Sequence, residues 1–144
     1  TGTHFMPDKS RARHVTADAN IFPFFLEFSD IIKKKAFTII EKDLCQPIPL
    51  MYSSVKEEKM IWQEVFVPNW ERNTIWTNVA FVYLKMLKKV NPQTAEEHIT
   101  KWKQLIEKYG TVFELYTQEL QPYKSTFYYA DEGMLWSANL ATLI

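Results

Sequence analysis

The chain has 144 residues, 47% of them hydrophobic and 24% charged, and its 17 basic and 17 acidic side chains give a formal net charge of +0. That is enough sequence for one domain with its own core, which excludes a chain disordered in bulk, and the balanced charge excludes the electrostatic footprint of a nucleic-acid or anionic-membrane binder. The single cysteine, Cys45, excludes an internal disulfide and a multi-cysteine metal site; with no signal-peptide pattern and no apolar run of about 18 residues, the expectation is a soluble, cytoplasmic chain that needs no cofactor.

Residues 1–17 show no period and mix charges with Pro7, so they read as an extended N-terminal arm, and residues 18–144 as a helical domain. His4 and His14 each stand alone, without a partner at metal-ligand spacing. From Asp18 to Phe28 the run DANIFPFFLEF predicts a first helix. Asp18 can cap it, Pro23 falls in its first turns, and Ile21, Phe24, Phe25 and Phe28 keep the 3.6-residue period. Ser29 caps a second helix, Asp30 to Asp43, with Ile32, Ala36, Ile39 and Ile40 inward and Lys33, Lys34 and Lys35 on a solvated face. The short junction between them predicts an antiparallel αα-hairpin.

Leu44 to Arg72 is a long connection in which Pro47, Pro49 and Pro68 rule out a continuous helix. It carries Trp62, Glu64, Phe66 and Trp70, and two readings stand: a loop that lines a site, or a loop that packs its own apolar residues. Asn73 to Val90 gives the clearest helical pattern, capped by Asn73, with Ile75, Val79, Val82, Tyr83, Met86, Leu87 and Val90 on a wide apolar face. Lys88 and Lys89 fall in its last turn, where the helix dipole favours cations, and Asn91-Pro92 stops it. Thr94 to Glu97 is a capping box for a helix that runs to Tyr109 with Ile99, Trp102, Leu105, Ile106 and Tyr109 inward. Gly110 supplies its left-handed cap, completing a second αα-hairpin.

Thr111 to Tyr116 alternates weakly and reads as a short strand; Asp131 to Ile144 reads as a last helix with acids at its start. Between them lie Glu114 among aromatics, a polar loop with Tyr128 and Tyr129, and then Asp131-Glu132-Gly133. A carboxylate between aromatic walls suits carbohydrate chemistry, because sugar rings stack on Trp and Tyr faces while a carboxylate orients or deprotonates a water. The competing reading is a solvated Glu114 with Tyr116, Tyr128 and Tyr129 as half-buried packing. There is no glycine-rich phosphate loop, no paired Cys or His, and no Ser/His/Asp order. The expected class is all-α, built from antiparallel αα-hairpins.

Three segments in this order carry a resemblance. DANIFPFF (Asp18 to Phe25), NTIWTNVAFVYLKML (Asn73 to Leu87), and GTVFELYTQELQPYKS followed by YYADEGMLWSANLATLI resemble the C-terminal half of six-hairpin, (α/α)6-toroid glycoside hydrolases of the trehalase, glucosidase and glycogen-debranching types. The resemblance implies a partial (α/α)6 toroid. It implies that Glu114 is the general base of an inverting hydrolysis, that Asn73 and Trp76 lie at the sugar-facing start of an inner helix, that Trp62 and Glu64 lie on the loop facing the pocket, and that Tyr116, Asp131 and Trp136 complete the substrate-binding set. The sequence departs from the family pattern where Thr117-Gln118-Glu119 and Pro122 replace a glycine-rich turn after the base, and where Thr77 stands in a place common for proline.

In that family the general acid comes from a more N-terminal hairpin than any in this sequence, so the resemblance makes the chain a piece of a glycosidase, either a fragment of a longer protein or one product of a split gene. Two other functions compete with it: a non-catalytic carbohydrate-binding remnant that uses the same aromatics, and a helical protein-interaction module that never meets a sugar. The partner expected is a glucoside-like carbohydrate. The apolar residues Ile21, Phe22, Phe24, Phe25 and Phe28 in the first helix, and Met134, Leu135, Trp136, Leu140, Leu143 and Ile144 in the last, lead one to expect a homo-oligomer or a complementary chain covering both ends.

Overall fold

Two helices joined by a single residue form the centre of the fold. In the computed structural model, which describes residues 4–6, 14–25, 29–54, 62–133, 135 and 137–143, α3 (Thr77–Val90) ends and α4 (Pro92–Tyr109) begins at Asn91. The Asn91 backbone N–H closes α3 on the Leu87 carbonyl at 2.7 Å, and its side chain accepts from the Thr94 N–H at 3.3 Å. Pro92 takes the first helical position, where a missing N–H leaves nothing unsatisfied. Asn91-Pro92 therefore starts α4 as well as ending α3, and the capping box expected at Thr94 falls inside the helix. Gly110 ends α4 at φ 71°, as its sequence position predicts.

The two helices run antiparallel. Phe81 meets Trp102 edge-on with centroids 5.1 Å apart, and one turn or two further on Lys88 pairs with Glu96 at 3.2 Å. Trp102 is wholly buried, donates its indole N–H to the Pro49 carbonyl at 2.9 Å, and packs on Tyr116 at 5.7 Å. Edge-to-face pairs of this kind add about 0.5–1.5 kcal/mol each beyond the area they bury. α3 also packs on α1 (Ala17–Ile21) and α5 (Ser137–Ala141), which is why Ala80, Phe81, Tyr83 and Leu84 are all fully buried. Val90, expected on the buried face, is exposed at the end of the helix.

α2 (Asp30–Leu44) buries most of the expected stripe: Ala36 and Ile40 face the core and Ile39 packs on it, joined by Phe37 and Leu44, while Ile32, expected inward, is exposed beside Ile31. The phase is set by Phe37, whose ring lies 4.5 Å from Phe24 and 5.7 Å from Tyr83. Of the expected first helix, Ala17–Ile21 is α-helical and Phe22–Phe25 is a tighter 3-10 turn; residues 26–28 lie outside the described part.

An irregular layer of extended backbone covers one end of the helices. β1 (Ile75–Trp76) pairs antiparallel with β2 (Leu115–Tyr116). Around this pair, Tyr52 N–H donates to Thr74 O at 2.9 Å, Trp76 N–H to Leu50 O at 3.0 Å, Ala17 N–H to Tyr52 O at 2.8 Å, and Tyr123 N–H to Leu115 O at 3.0 Å. These bonds hold residues 74–76 extended, so α3 starts at Thr77 and Asn73 is not its cap. The same layer corrects the last helix. Glu114 N–H donates to Asp131 O and Gly133 N–H to Val112 O, so Asp131 and Glu132 are held alongside residues 112–114 and Gly133 bends away at φ 63°; among the described residues of this stretch only Ser137–Ala141 is helical.

The chain is mostly helical, with one two-stranded sheet among the described residues. Of the apolar residues expected to lie bare at the ends, Ile21, Leu140 and Leu143 are buried and Phe24 packs on the core, whereas Phe22, Phe25 and Leu135 are exposed. Phe28, Met134, Trp136 and Ile144 lie outside the described residues. No described helix is long and apolar enough to cross a membrane.

Candidate functional site

Where the extended layer meets the start of α3, four stretches far apart in sequence bring their aromatic rings into one row. Tyr52 packs on Trp76 at 5.7 Å, Trp76 on Trp70 at 5.4 Å, Trp70 on Tyr128 at 6.0 Å, and Tyr128 on Tyr123 at 6.0 Å. The tryptophans are held by polar contacts as well as by packing. Trp76 donates its indole N–H to the Trp70 carbonyl at 2.9 Å and to Thr74 Oγ1 at 3.1 Å, and Thr74 in turn donates to the Trp70 carbonyl. Trp70, Trp76, Tyr52 and Tyr128 are each half-buried.

Glu114 sits at the Tyr128 end of this row. Its main chain is fixed on both sides: the N–H donates to Asp131 O at 2.8 Å, and the carbonyl accepts from Thr77 N–H at 3.1 Å and Thr77 Oγ1 at 2.9 Å. Its carboxylate oxygen Oε2 accepts the Tyr128 hydroxyl. Burial, with the Glu114 and Asp131 charges adding to it, pushes the Tyr128 phenol well above its ordinary range, so this hydroxyl stays protonated and donates. Thr77 is thus the residue that anchors Glu114 to the start of α3.

Carboxylates gather at the other end too. Asp18 Oδ2 accepts from the Tyr52 hydroxyl at 3.4 Å. Burial, then Asp18 and Glu71, push the Tyr52 phenol up to about 12. Burial raises the Glu71 carboxyl above its usual value of 4.5, and the neighbouring Asp18 and Glu64 charges raise it further. Acidic groups therefore flank the aromatic row on both sides, Glu114 and Asp131 at one end and Asp18 and Glu71 at the other. Past Tyr123 the surface dips into a recess of about 330 Å3 walled by Phe66, Pro68, Tyr123 and Phe127.

The residues singled out in the sequence fall in several settings. Glu114, Trp76 and Asp131 meet at the row. Glu64 is 4% exposed and is engaged by Arg72 through two hydrogen bonds of 2.6 Å, so its carboxylate holds the loop 62–72 together. Tyr116 is fully buried beside Trp102 and Tyr109, its phenol pushed up to about 12 by burial, and its oxygen accepts from Phe113 N–H at 2.9 Å. Asn73 is half-buried in the turn before β1. Trp62 opens a 3-10 turn, Trp62–Val65, with its side chain outside the described part, and Trp136 lies outside the described residues.

Trp70, Tyr128, Tyr52 and Asp18 belong to the site without any local pattern that marks them. Trp70 was named only on a loop open to two readings, and Tyr128 only in the polar loop after Glu114. Among the described residues, the convergent metal-ligating donors are Glu41, Cys45 and His98, on α2 and α4 and not in the row. Lys88, in the last turn of α3, also donates to the Leu143 carbonyl at 3.0 Å and so ties α3 to the turn after α5. Comparison with family models, curated proteins and solved structures gives no match to this chain.

Proposed function

We propose that the chain contributes the general base and a sugar-stacking surface to an inverting glycoside hydrolase of the glucosidase, trehalase or debranching type. The observation that carries this reading is the placement of Glu114: a carboxylate on fixed backbone at the end of a row of half-buried tryptophan and tyrosine rings. Aromatic faces of that kind take the apolar side of a pyranose, and the carboxylate beside them activates water. Inversion also requires a second carboxyl group about 6.5–9.5 Å from the first.

The partial (α/α)6 toroid belongs to the same proposal. The antiparallel pair α3–α4 supports it, as does the exposure of Phe22, Phe25, Ile31 and Ile32 around the junction of the 3-10 turn and α2, apolar surface that a further hairpin would cover at that edge. A complementary polypeptide or a second copy covers that edge. The alternative is a carbohydrate-binding module without catalysis, favoured by the open recess past Tyr123, which lengthens the stacking surface beyond the carboxylate.

Calorimetry and hydrolysis with small α-glucosides test the two readings. The hydrolase reading expects sugar binding that survives Glu114→Gln and turnover that does not. Binding with no turnover, even when the chain is supplied with the upstream half of a related toroid enzyme, favours the binding module. No sugar binding at all, or binding unchanged by Trp76→Ala and Trp70→Ala, refutes both.

A further inference from the structure

A second polar cluster lies between α2 and α4. Glu41 lies in the last turn of α2 and Cys45, four residues on, caps its C-terminal end, so the two side chains come to the same side of the helix end. His98 projects from α4 onto the same spot. The Cys45 thiol approaches Glu41 Oε1 at 3.6 Å, and His98 Nε2 approaches Glu41 Oε2 at 3.0 Å. The Tyr83 hydroxyl donates to the same carboxylate and orients it. Cys45 is 0% and His98 5% exposed.

We propose that Glu41, Cys45 and His98 bind a Zn2+-class transition-metal ion. The donor atoms of all three lie within 4.8 Å of one another. Zinc–sulfur bonds of about 2.3 Å and zinc–oxygen or zinc–nitrogen bonds of about 2.0–2.2 Å, set at tetrahedral angles, separate sulfur from oxygen by roughly 3.6 Å and nitrogen from oxygen by roughly 3.4 Å. The Cys45 Sγ–Glu41 Oε1 separation of 3.6 Å matches such an edge, and the His98 Nε2–Glu41 Oε2 separation of 3.0 Å falls short of one, so small side-chain adjustments bring the three donors onto one ion. Thiolate, carboxylate and neutral imidazole together carry two negative charges, which a divalent cation neutralises; a neutral cluster is one that a buried site can hold. The mixed S, N and O donor set selects zinc or cobalt over magnesium and calcium.

Hydrogen bonding within the chain leaves this imidazole incomplete. His98 Nδ1 is buried and has no partner among the described residues. Glu41 lines the groove of about 590 Å3 between α2 and the α3–α4 junction, walled by Phe37, Thr38, Leu87 and Thr94, which gives the cluster a route to solvent and to a water as fourth ligand. Binding breaks the Cys45 S–H bond, forms the S–metal bond, and releases the proton to solvent through the groove. Because the ligands come from α2 and α4, the ion also ties these two helices together.

The test is titration of the folded chain with Co2+ and then Zn2+. Cys45 is the only cysteine in the sequence, so a thiolate-to-cobalt charge-transfer band reports this site alone. Expected are that band at one equivalent of Co2+, its bleaching by Zn2+, proton release on binding, and a melting temperature that rises with Zn2+ but not with Mg2+ or Ca2+. Cys45→Ser abolishes the band and His98→Gln weakens Zn2+ binding by at least about tenfold. If either variant fails to fold, the wild-type band and protection of the thiol from alkylation by Zn2+ still decide the matter. Absence of the band and of stoichiometric Zn2+ binding in the folded wild-type chain overturns the proposal. So does Zn2+ binding unchanged in folded Cys45→Ser.

Discussion

Arg72→Ala is the substitution whose cost the geometry specifies best. Glu64 is buried to 4% exposure, and its two carboxylate oxygens are each held at 2.6 Å by Arg72 Nε and Nη2. The Arg72 side chain is itself only 14% exposed, so water screens the pair little. Removing the guanidinium strands a carboxylate away from solvent, a change that costs about 3–5 kcal/mol. Domains of this size have about 5–15 kcal/mol in total. A shift of about 2–4 °C per kcal/mol then lowers the melting temperature by roughly 10 °C.

The assay is thermal and urea unfolding of the wild type, Arg72→Ala, Glu64→Gln and the double variant Glu64→Leu/Arg72→Met. Acid should return part of the Arg72→Ala loss, because protonation removes the stranded charge. The double variant should lose less than Arg72→Ala, since an apolar pair of similar volume leaves no charge unpaired. A loss below about 1 kcal/mol for Arg72→Ala, with no dependence on pH, would refute the reasoning and place the pair among solvent-screened surface contacts.

The other predictions concern the row and the caps. Glu114→Gln should remove hydrolysis by a factor of about 100 or more while leaving sugar binding within a few-fold, as measured by turnover and calorimetry on the same preparation. Tyr128→Phe removes the donor on Glu114 Oε2 and should cost about 1.5–3 kcal/mol in unfolding free energy, the range for a hydrogen bond to a charged group. Gly110→Ala places a Cβ at φ 71° with open space around it, so the cost is backbone strain alone, about 1 kcal/mol by denaturant titration. Glu71 has a carboxyl raised above 4.5 in the folded state, so its contribution is most favourable below that pH and is lost as pH rises through the folded value. Glu71→Gln should therefore melt slightly above the wild type at neutrality, with the difference vanishing in acid.

The helices that were legible in the sequence are those whose partners are local. α3 and α4 show an apolar face of period 3.6, and Gly110 marks the end of α4 by its conformational freedom. α2 was legible as a helix and largely in phase, with Ala36 and Ile40 buried and Ile39 packed on the core as expected; Ile32 was misplaced and Phe37 and Leu44 were missed, because the rings of Phe24 and Tyr83 draw Phe37 inward. The extended layer left almost no trace. Its strands are two residues long, and its hydrogen bonds join positions such as 52 to 74 and 114 to 131, so no alternation could accumulate. That is why Asn73 looked like a cap and Asp131 like a helix start. The site followed the same division. Glu114 and Trp76 could be named from a segment pattern, whereas Trp70, Tyr128, Tyr52 and Asp18 join them only through that layer. Glu64 looked like a ligand because its partner, Arg72, lies eight residues on in a non-helical loop where no spacing rule applies.

The layer also explains how Glu114 could act as a base without being a flexible surface acid. Its backbone N–H and carbonyl are both committed, to Asp131 and to Thr77, so the Cα position is set by α3 and by the segment before α5 at once. The Tyr128 hydroxyl then takes one carboxylate oxygen, Oε2, and its raised pKa keeps it a donor across the physiological range. On the hydrolase reading this divides the labour between the two oxygens: Oε2 is the one that is held, and Oε1 is the one that receives the proton of the attacking water. A carboxylate fixed at backbone and at one oxygen keeps its direction through the reaction, which is the condition for positioning a water within about 3 Å of the bond it attacks. The same arrangement accounts for the choice of threonine at position 77, where the family resemblance leads one to expect proline. Proline has neither the N–H nor the hydroxyl that Thr77 donates to the Glu114 carbonyl. Thr77→Pro should loosen Glu114 and lower turnover more than it lowers sugar affinity.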